Sequence, residues 1–218
     1  MKRFLCTSFA LTLALGYGMA HAQAKAGDAA AGAKKVAMCI GCHGIPGYQA
    51  SFPEIHKVPM IAGQGEKYIV AALAAYKKGE RKHPTMRGIA ESLSEQDTAD
   101  VAAFYAQQAG TVQVPDQPAA PSAAVAALLT KGACSSCHGA NYSKPIDPSY
   151  PKLAGQHADY LFVALRAYQT EKNPNVGRSN AIMAGQAKQY KPAELKLIAE
   201  YLASLPGELK TVRQSPLH

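Results

Sequence analysis

The chain has 218 residues, 48% of them hydrophobic, with no tryptophan, five phenylalanines, and 23 Lys and Arg against 15 Asp and Glu, a formal charge of +8. The basic residues are scattered and no stretch interleaves them with stacking aromatics, which argues against a nucleic-acid partner. So modest an excess suits acidic protein surfaces or anionic membrane faces instead.

The first residues read MKRFLCTSFALTLALGYGMAHAQA. Lys2 and Arg3 lead an apolar run that ends near Met19, and Ala20-His21-Ala22 supplies a small-x-small cleavage site, so residues 1–22 read as a secretory signal peptide. The run is shorter than the roughly 20 residues of a membrane-spanning helix. Cleavage would remove Cys6 and, with Lys2 and Arg3 gone, leave 21 bases against 15 acids, a charge of +6. The expected location is the periplasm.

After Gln23 the chain repeats itself. The segment TVQVPDQPAAPS, with three prolines and no periodicity, reads as an extended linker centred on residues 113–121, and it divides a half at 23–112 from a half at 122–218. In each half a first helix, capped by Asp28 or Ser122, leads into a cysteine motif. A second covers about Glu66 to Lys78 and Ala158 to Thr170, with apolar residues at three- and four-residue steps. A third starts at Ser94, with Asp97 as the capping-box acid, or at Pro192 as a first-turn proline, and ends near Gln108 or Ser204. No alternating pattern of strand length appears, so each half reads as helix and loop. The copies match in register: Pro59-Met60-Ile61-Ala62-Gly63-Gln64 answers Pro151-Lys152-Leu153-Ala154-Gly155-Gln156, and Met86-x-Gly88-x-Ala90 answers Met183-x-Gly185-x-Ala187. The halves differ in charge, +2 for 23–112 and +5 for 122–218.

The motif is CIGCHG at residues 39–44 and CSSCHG at 134–139. Cys-x-x-Cys-His is the attachment sequence of c-type haem. Cys39 and Cys42, and Cys134 and Cys137, would form thioethers with the porphyrin, and His43 and His138 would then ligate the iron. Two covalently bound haems would also fill the centre of two halves that are poor in aromatic bulk. A zinc ribbon needs its cysteine pairs about 15 to 20 residues apart, and a thioredoxin-like pair needs a strand-helix-strand setting. Structural disulfides suit an exported chain but leave both histidines unexplained.

A second axial ligand from methionine raises the haem potential and closes the iron to small molecules, as an electron carrier requires. Met86 and Met183 are the candidates, because they hold one repeat position, in loops before the third helix. Met60 is matched by Lys152, and Met38 adjoins Cys39. Arg81 and Arg178 each stand five residues before a candidate methionine and are candidate contacts to the haem propionates, each expected to serve its own domain's haem. His56, His83, His157 and His218 share no repeat position and read as surface or loop residues. His83, three residues before Met86, is the one placed to replace it.

On these motifs the chain resembles the cytochrome c4 family, exported dihaem carriers built from two tandem class I cytochrome c domains. The likeness covers essentially all of the chain beyond residue 22. Ile61 stands where the family has leucine, and Tyr190-Lys191-Pro192 replaces the family's Leu-Ser helix start, which Leu93-Ser94 keeps in the first half. The resemblance implies an all-α fold, each domain wrapped around one covalent haem, with the two haems close enough for internal transfer. It implies a respiratory electron carrier rather than an enzyme, taking electrons from a quinol-oxidising or dehydrogenase donor toward a terminal oxidase or another periplasmic acceptor. Its partners would be redox proteins, with peripheral membrane association left open and no small-molecule substrate. A cytochrome subunit of a flavocytochrome-like dehydrogenase complex would look similar, and a dihaem peroxidase would need an open iron.

Overall fold

In a computed structural model, the structure describes residues 26–213. The signal-peptide reading of residues 1–22 and His218 lie outside the described residues. Among the described residues ten helices fall into two matching sets of five, with three two-residue strands in the first half and one in the second. The first set holds α1 (Ala29–Ala33), α2 (Ala37–His43), α3 (Glu66–Lys78), α4 (Pro84–Glu91) and α5 (Glu95–Ala106). The second holds α6 (Ala123–Lys131), α7 (Cys134–His138), α8 (Ala158–Gln169), α9 (Ala181–Ala187) and α10 (Pro192–Ser204). None of the described helices is long and apolar enough to cross a membrane.

The helix leading into each cysteine motif is broken rather than continuous. Asp28 caps α1 by accepting from the amides of Ala30 and Ala31, and a turn over residues 34–36 separates it from α2. In the second half Ala133, at φ 45°, interrupts the path from α6 to α7, because the left-handed conformation cannot continue a right-handed helix. The break re-aims the cysteine-bearing turn against its own domain. The long helices follow their sequence signals: Glu66 opens α3, Lys77 and Lys78 close it, and Gly79 ends it in the left-handed conformation. Ser94 and Asp97 form the capping box of α5.

Two structural differences from the sequence reading bear on the site. The methionine segments are the short helices α4 and α9, not loops. A proline at N1 and the His83 cap start α4, and the Asn180 cap starts α9. Both carry an internal glycine, which lowers helix propensity by about 1 kcal/mol and hides the signal. Strands occur as well: β1 (Gln49–Ala50) pairs with β2 (His56–Lys57), and β3 (Arg81–Lys82) pairs with β4 (Gly177–Arg178). Two-residue strands have no sequence period to read, since their partners define them.

Each domain buries its own apolar cluster. Val36, Ile69, Val101 and Tyr105 anchor the first, and Leu129, Leu161, Leu195 and Leu202 the second, where Leu195 is wholly buried. The domains are also joined along a broad seam. Strands β3 and β4, equivalent in the repeat, pair antiparallel with Arg81 opposite Arg178, so a local pseudo-twofold axis passes between these residues. After α10 the chain crosses back to the first domain: the Gly110 amide donates to Glu208 O, the Lys210 amide donates to Ala62 O, and Val212 packs against the first core. This return requires Gly63, which sits at φ +83° and where a Cβ would lie 2.5 Å from Glu208 O.

Candidate haem sites

Helix α2 carries Cys39, Cys42 and His43 on its last two turns, and α7 carries Cys134, Cys137 and His138. All four cysteines are half-buried and unpaired. Burial pushes the Cys39 and Cys134 thiols up from their usual range. Among the described residues no three His, Cys, Asp or Glu side chains converge on one point as a zinc site needs.

The two histidines are set in the same way. His43 Nδ1 lies 2.8 Å from the carbonyl oxygen of Pro59, and His138 Nδ1 lies 3.1 Å from that of Pro151. A carbonyl only accepts, so Nδ1 carries the proton and donates it, and in the neutral ring Nε2 keeps its lone pair. Burial lowers the pKa of both imidazoles, which keeps them neutral at pH 7. This is the state an iron ligand requires, with the second-shell carbonyl that fixes its tautomer already in place.

Met86 and Met183 occupy the third position of α4 and α9, and their amides donate to the capping side chains, His83 Nδ1 at 3.3 Å and Asn180 Oδ1 at 3.0 Å. His83 and Asn180 therefore hold one repeat position and one role, which the sequence reading of His83 as an unmatched loop residue did not anticipate. Its electrostatic influence reaches His43, where it helps depress the imidazole pKa.

Arg81 and Arg178 do not occupy separate loops. They face each other at the pseudo-twofold axis, and Tyr160 accepts from both, 3.3 Å from Arg81 Nη2 and 3.1 Å from Arg178 Nη2. Arg81 also donates to Tyr68 at 3.2 Å and lies over the Tyr76 ring at 4.5 Å. Burial pushes the Tyr160 phenol up, but the Arg178 and Arg81 guanidiniums outweigh it and hold it at about 8. No carboxylate pairs with either arginine among the ion pairs of the described residues, and the buried Arg81 Nε has no partner. Both side chains line a narrow crevice of about 50 Å³ between the domains. Two half-buried guanidiniums, one with a buried donor left unfilled, form a site for carboxylates, and this fits the propionates of a haem.

Sequence reasoning missed two residues at this seam. Gln64 and Gln156, each 4% exposed, reach across the domain boundary. The Gln156 side chain accepts from the Met60 amide at 2.9 Å and donates to the Met60 carbonyl at 2.8 Å. Gln64 does the same for Lys152, at 2.9 and 3.0 Å. The signal was present in the repeated Ala-Gly-Gln, but nothing in it names the partner.

The cytochrome c family model matches residues 29–108 and again 122–206. Cytochrome c4 of Azotobacter vinelandii is 34% identical over 210 residues, covering 89% of this chain and 96% of that protein. Cytochrome c4 of Pseudomonas aeruginosa is 35% identical over 208 residues, covering 92% and 98%. The crystal structure of reduced recombinant cytochrome c4 from Pseudomonas stutzeri superposes with a TM-score of 0.60 at 30% identity, over 83% of this chain and all of that one.

Proposed function

The chain belongs to the cytochrome c4 family of dihaem electron carriers, and from that premise we propose that it works in the periplasm, moving electrons from a quinol-oxidising or dehydrogenase donor toward a terminal oxidase. The location rests on the signal-like residues 1–22. A c-type haem supplies, when bound, a one-electron couple between ferric and ferrous iron. The chain's own residues do the rest. Cys39, Cys42, Cys134 and Cys137 would anchor the two groups covalently, His43 and His138 would offer their neutral Nε2 atoms to the irons, and Met86 and Met183 would supply the second protein ligands. With Met86 and Met183 as ligands the irons would have no open position for a substrate, which favours transfer over peroxidase chemistry. Arg81 and Arg178, brought together at the seam between the domains, would offer the propionates one shared positive site.

The observation that carries this reading is the twofold occurrence of a histidine, half-buried at His43 and buried at His138, whose Nδ1–H is given to a proline carbonyl directly after two unpaired cysteines. Its test is respiratory. Membranes containing a quinol-oxidising complex and a terminal oxidase, stripped of their own soluble cytochromes, should consume oxygen from quinol at a rate that rises with added holoprotein. Reduced holoprotein that is never reoxidised by such membranes would refute the assignment.

A further inference from the structure

We propose that each domain's haem-ligating histidine is tuned by a glutamine of the other domain: Gln156 acts on His43 through the Pro59–Met60 peptide, and Gln64 acts on His138 through the Pro151–Lys152 peptide. The inference rests on the ligand reading above and adds a crossed route between the two centres.

The geometry is that of one peptide group bonded at both ends. The carbonyl that accepts from His43 Nδ1, Pro59 O at 2.8 Å, belongs to the same amide as the Met60 N–H, which donates to Gln156 Oε1 at 2.9 Å. The carbonyl that accepts from His138, Pro151 O at 3.1 Å, shares its amide with the Lys152 N–H, which donates to Gln64 Oε1 at 2.9 Å. Amide resonance links the two ends: an acceptor drawing on the N–H leaves more negative charge on the oxygen. The glutamine therefore makes the proline carbonyl a stronger acceptor, the histidine Nδ1–H bond tightens, and the imidazole becomes more basic toward a metal. A more basic imidazole stabilises ferric iron and lowers the potential.

The glutamines are held still enough to do this. Gln156 Oε1 also accepts from the His157 amide at 3.1 Å, and Gln64 Oε1 from the Gly65 amide at 2.9 Å. Their Nε2 atoms donate to the carbonyls of Met60 and Lys152, so each side-chain amide pairs with a residue's backbone much as a neighbouring strand would. The arrangement occurs twice, related by the local pseudo-twofold axis. It makes the electronic setting of one centre depend on how the other domain is docked.

The experiment measures both haem potentials in holoprotein with Gln156 replaced by Met, which is similar in length but neither accepts nor donates at that point. Haem methyl resonances, assigned by domain, report each centre separately during the titration. The N-terminal haem's potential should rise and the C-terminal haem's stay in place. Strengthening of on the order of 10–30% per bond in a hydrogen-bonded chain makes the shift modest, about threefold in the reduction equilibrium, or about 28 mV at 59 mV per tenfold for one electron. The His43 Nδ1–H proton resonance should move upfield, as its bond weakens. Gln64→Met should do the converse to the C-terminal haem and His138. If Gln156→Met does not fold, Gln156→Glu keeps the acceptor as a carboxylate and should lower the N-terminal potential more than the C-terminal one. A shift confined to the substituted residue's own domain, an equal shift of both haems, or no shift overturns the proposal. Retention of the methionine–iron band in the same samples shows that the ligand reading stands, so any of those results counts against the crossed route alone.

Discussion

Gly32→Ala tests how the first cysteine motif is seated. Helix α1 crosses α5 so closely that a Cβ at Gly32 would lie 2.1 Å from Asp100 O and 2.9 Å from Phe104 Cβ. Carbon contacts are favourable only beyond about 3.5 Å. The near atom is backbone inside a capped helix, so α1 must withdraw by roughly 1 Å or more, and overpacking against so rigid a neighbour costs about 3 kcal/mol, the upper part of its usual range. Alanine's better helix propensity returns up to about 1 kcal/mol. The net is about 2 kcal/mol of destabilisation, which for a domain the size of the N-terminal one lowers its unfolding temperature by about 8–16 °C.

The loss should be local, because α1 leads directly into α2 with Cys39, Cys42 and His43. The assay is thermal unfolding of the oxidised holoprotein, followed by helical circular dichroism and by the weak band that methionine sulfur gives with ferric iron. Half of that band, belonging to the N-terminal haem, should disappear early while the other half follows the wild-type curve. Gly88→Ala is the control: it lies in α4 and a Cβ there meets nothing within 4 Å, so its stability should be unchanged or slightly raised. Unfolding of Gly32→Ala at or above the wild-type temperature would refute the close-approach argument, and simultaneous loss of both halves of the band would refute its confinement to one domain.

The axial assignment predicts that Met86→Ala and Met183→Ala each remove about half of the methionine–iron band in the optical spectrum of the oxidised protein; a full band in both variants would reject it. Arg81→Gln and Arg178→Gln should each lower both haem potentials by comparable amounts, because the two guanidiniums share one site at the axis and losing positive charge favours ferric iron. On the order of 1 kcal/mol per haem, or about 40 mV, is expected for a partly screened charge, and spectroelectrochemical titration that finds only the haem of the substituted domain shifted would return each arginine to its own loop.

The parts of this molecule that were legible in the sequence are those fixed by local chemistry. Cys39-x-x-Cys42-His43 and its copy state their attachment chemistry outright. Helices α3 and α8 announce themselves by apolar residues at three- and four-residue steps, and α5 and α10 by their N-terminal signals, each sustained over 12 or 13 residues. Helices α4 and α9 did not, because 8 and 7 residues with a glycine inside depend on an N-cap, and imidazole at His83 is not a common one. The arginines were legible as a repeated offset from Met86 and Met183, and their mutual approach was not. Only the pairing of β3 with β4 reveals it, and two-residue strands are created by the domain docking itself. Gln64 and Gln156 are the sharper case: their repetition was visible, yet a buried glutamine's meaning lies wholly in the backbone it reaches.

The seam also limits how the domains can depend on one another. At the axis two half-buried guanidiniums face each other with phenols as their protein partners, and like charges in a region of reduced dielectric repel more strongly than in water. The tyrosines relieve this unequally. Tyr160 accepts from both arginines and is drawn down to about 8, whereas burial raises Tyr68, which accepts from Arg81 alone. A neutral phenol offers a dipole, not a counter-charge, so the protein by itself leaves this interface short of anions. Propionates would supply them, and the docking of the two domains would then be strongest when both haems are attached. The glutamine clamps flank the same axis and need the same docking to reach Met60 and Lys152. Attachment of the haems, closure of the seam and the setting of each proximal histidine are on this argument one linked equilibrium. Loss of one glutamine clamp leaves the arginine axis and the return of the chain after α10 in place, whereas a change that opens the whole seam should be felt at both centres, even when it touches neither.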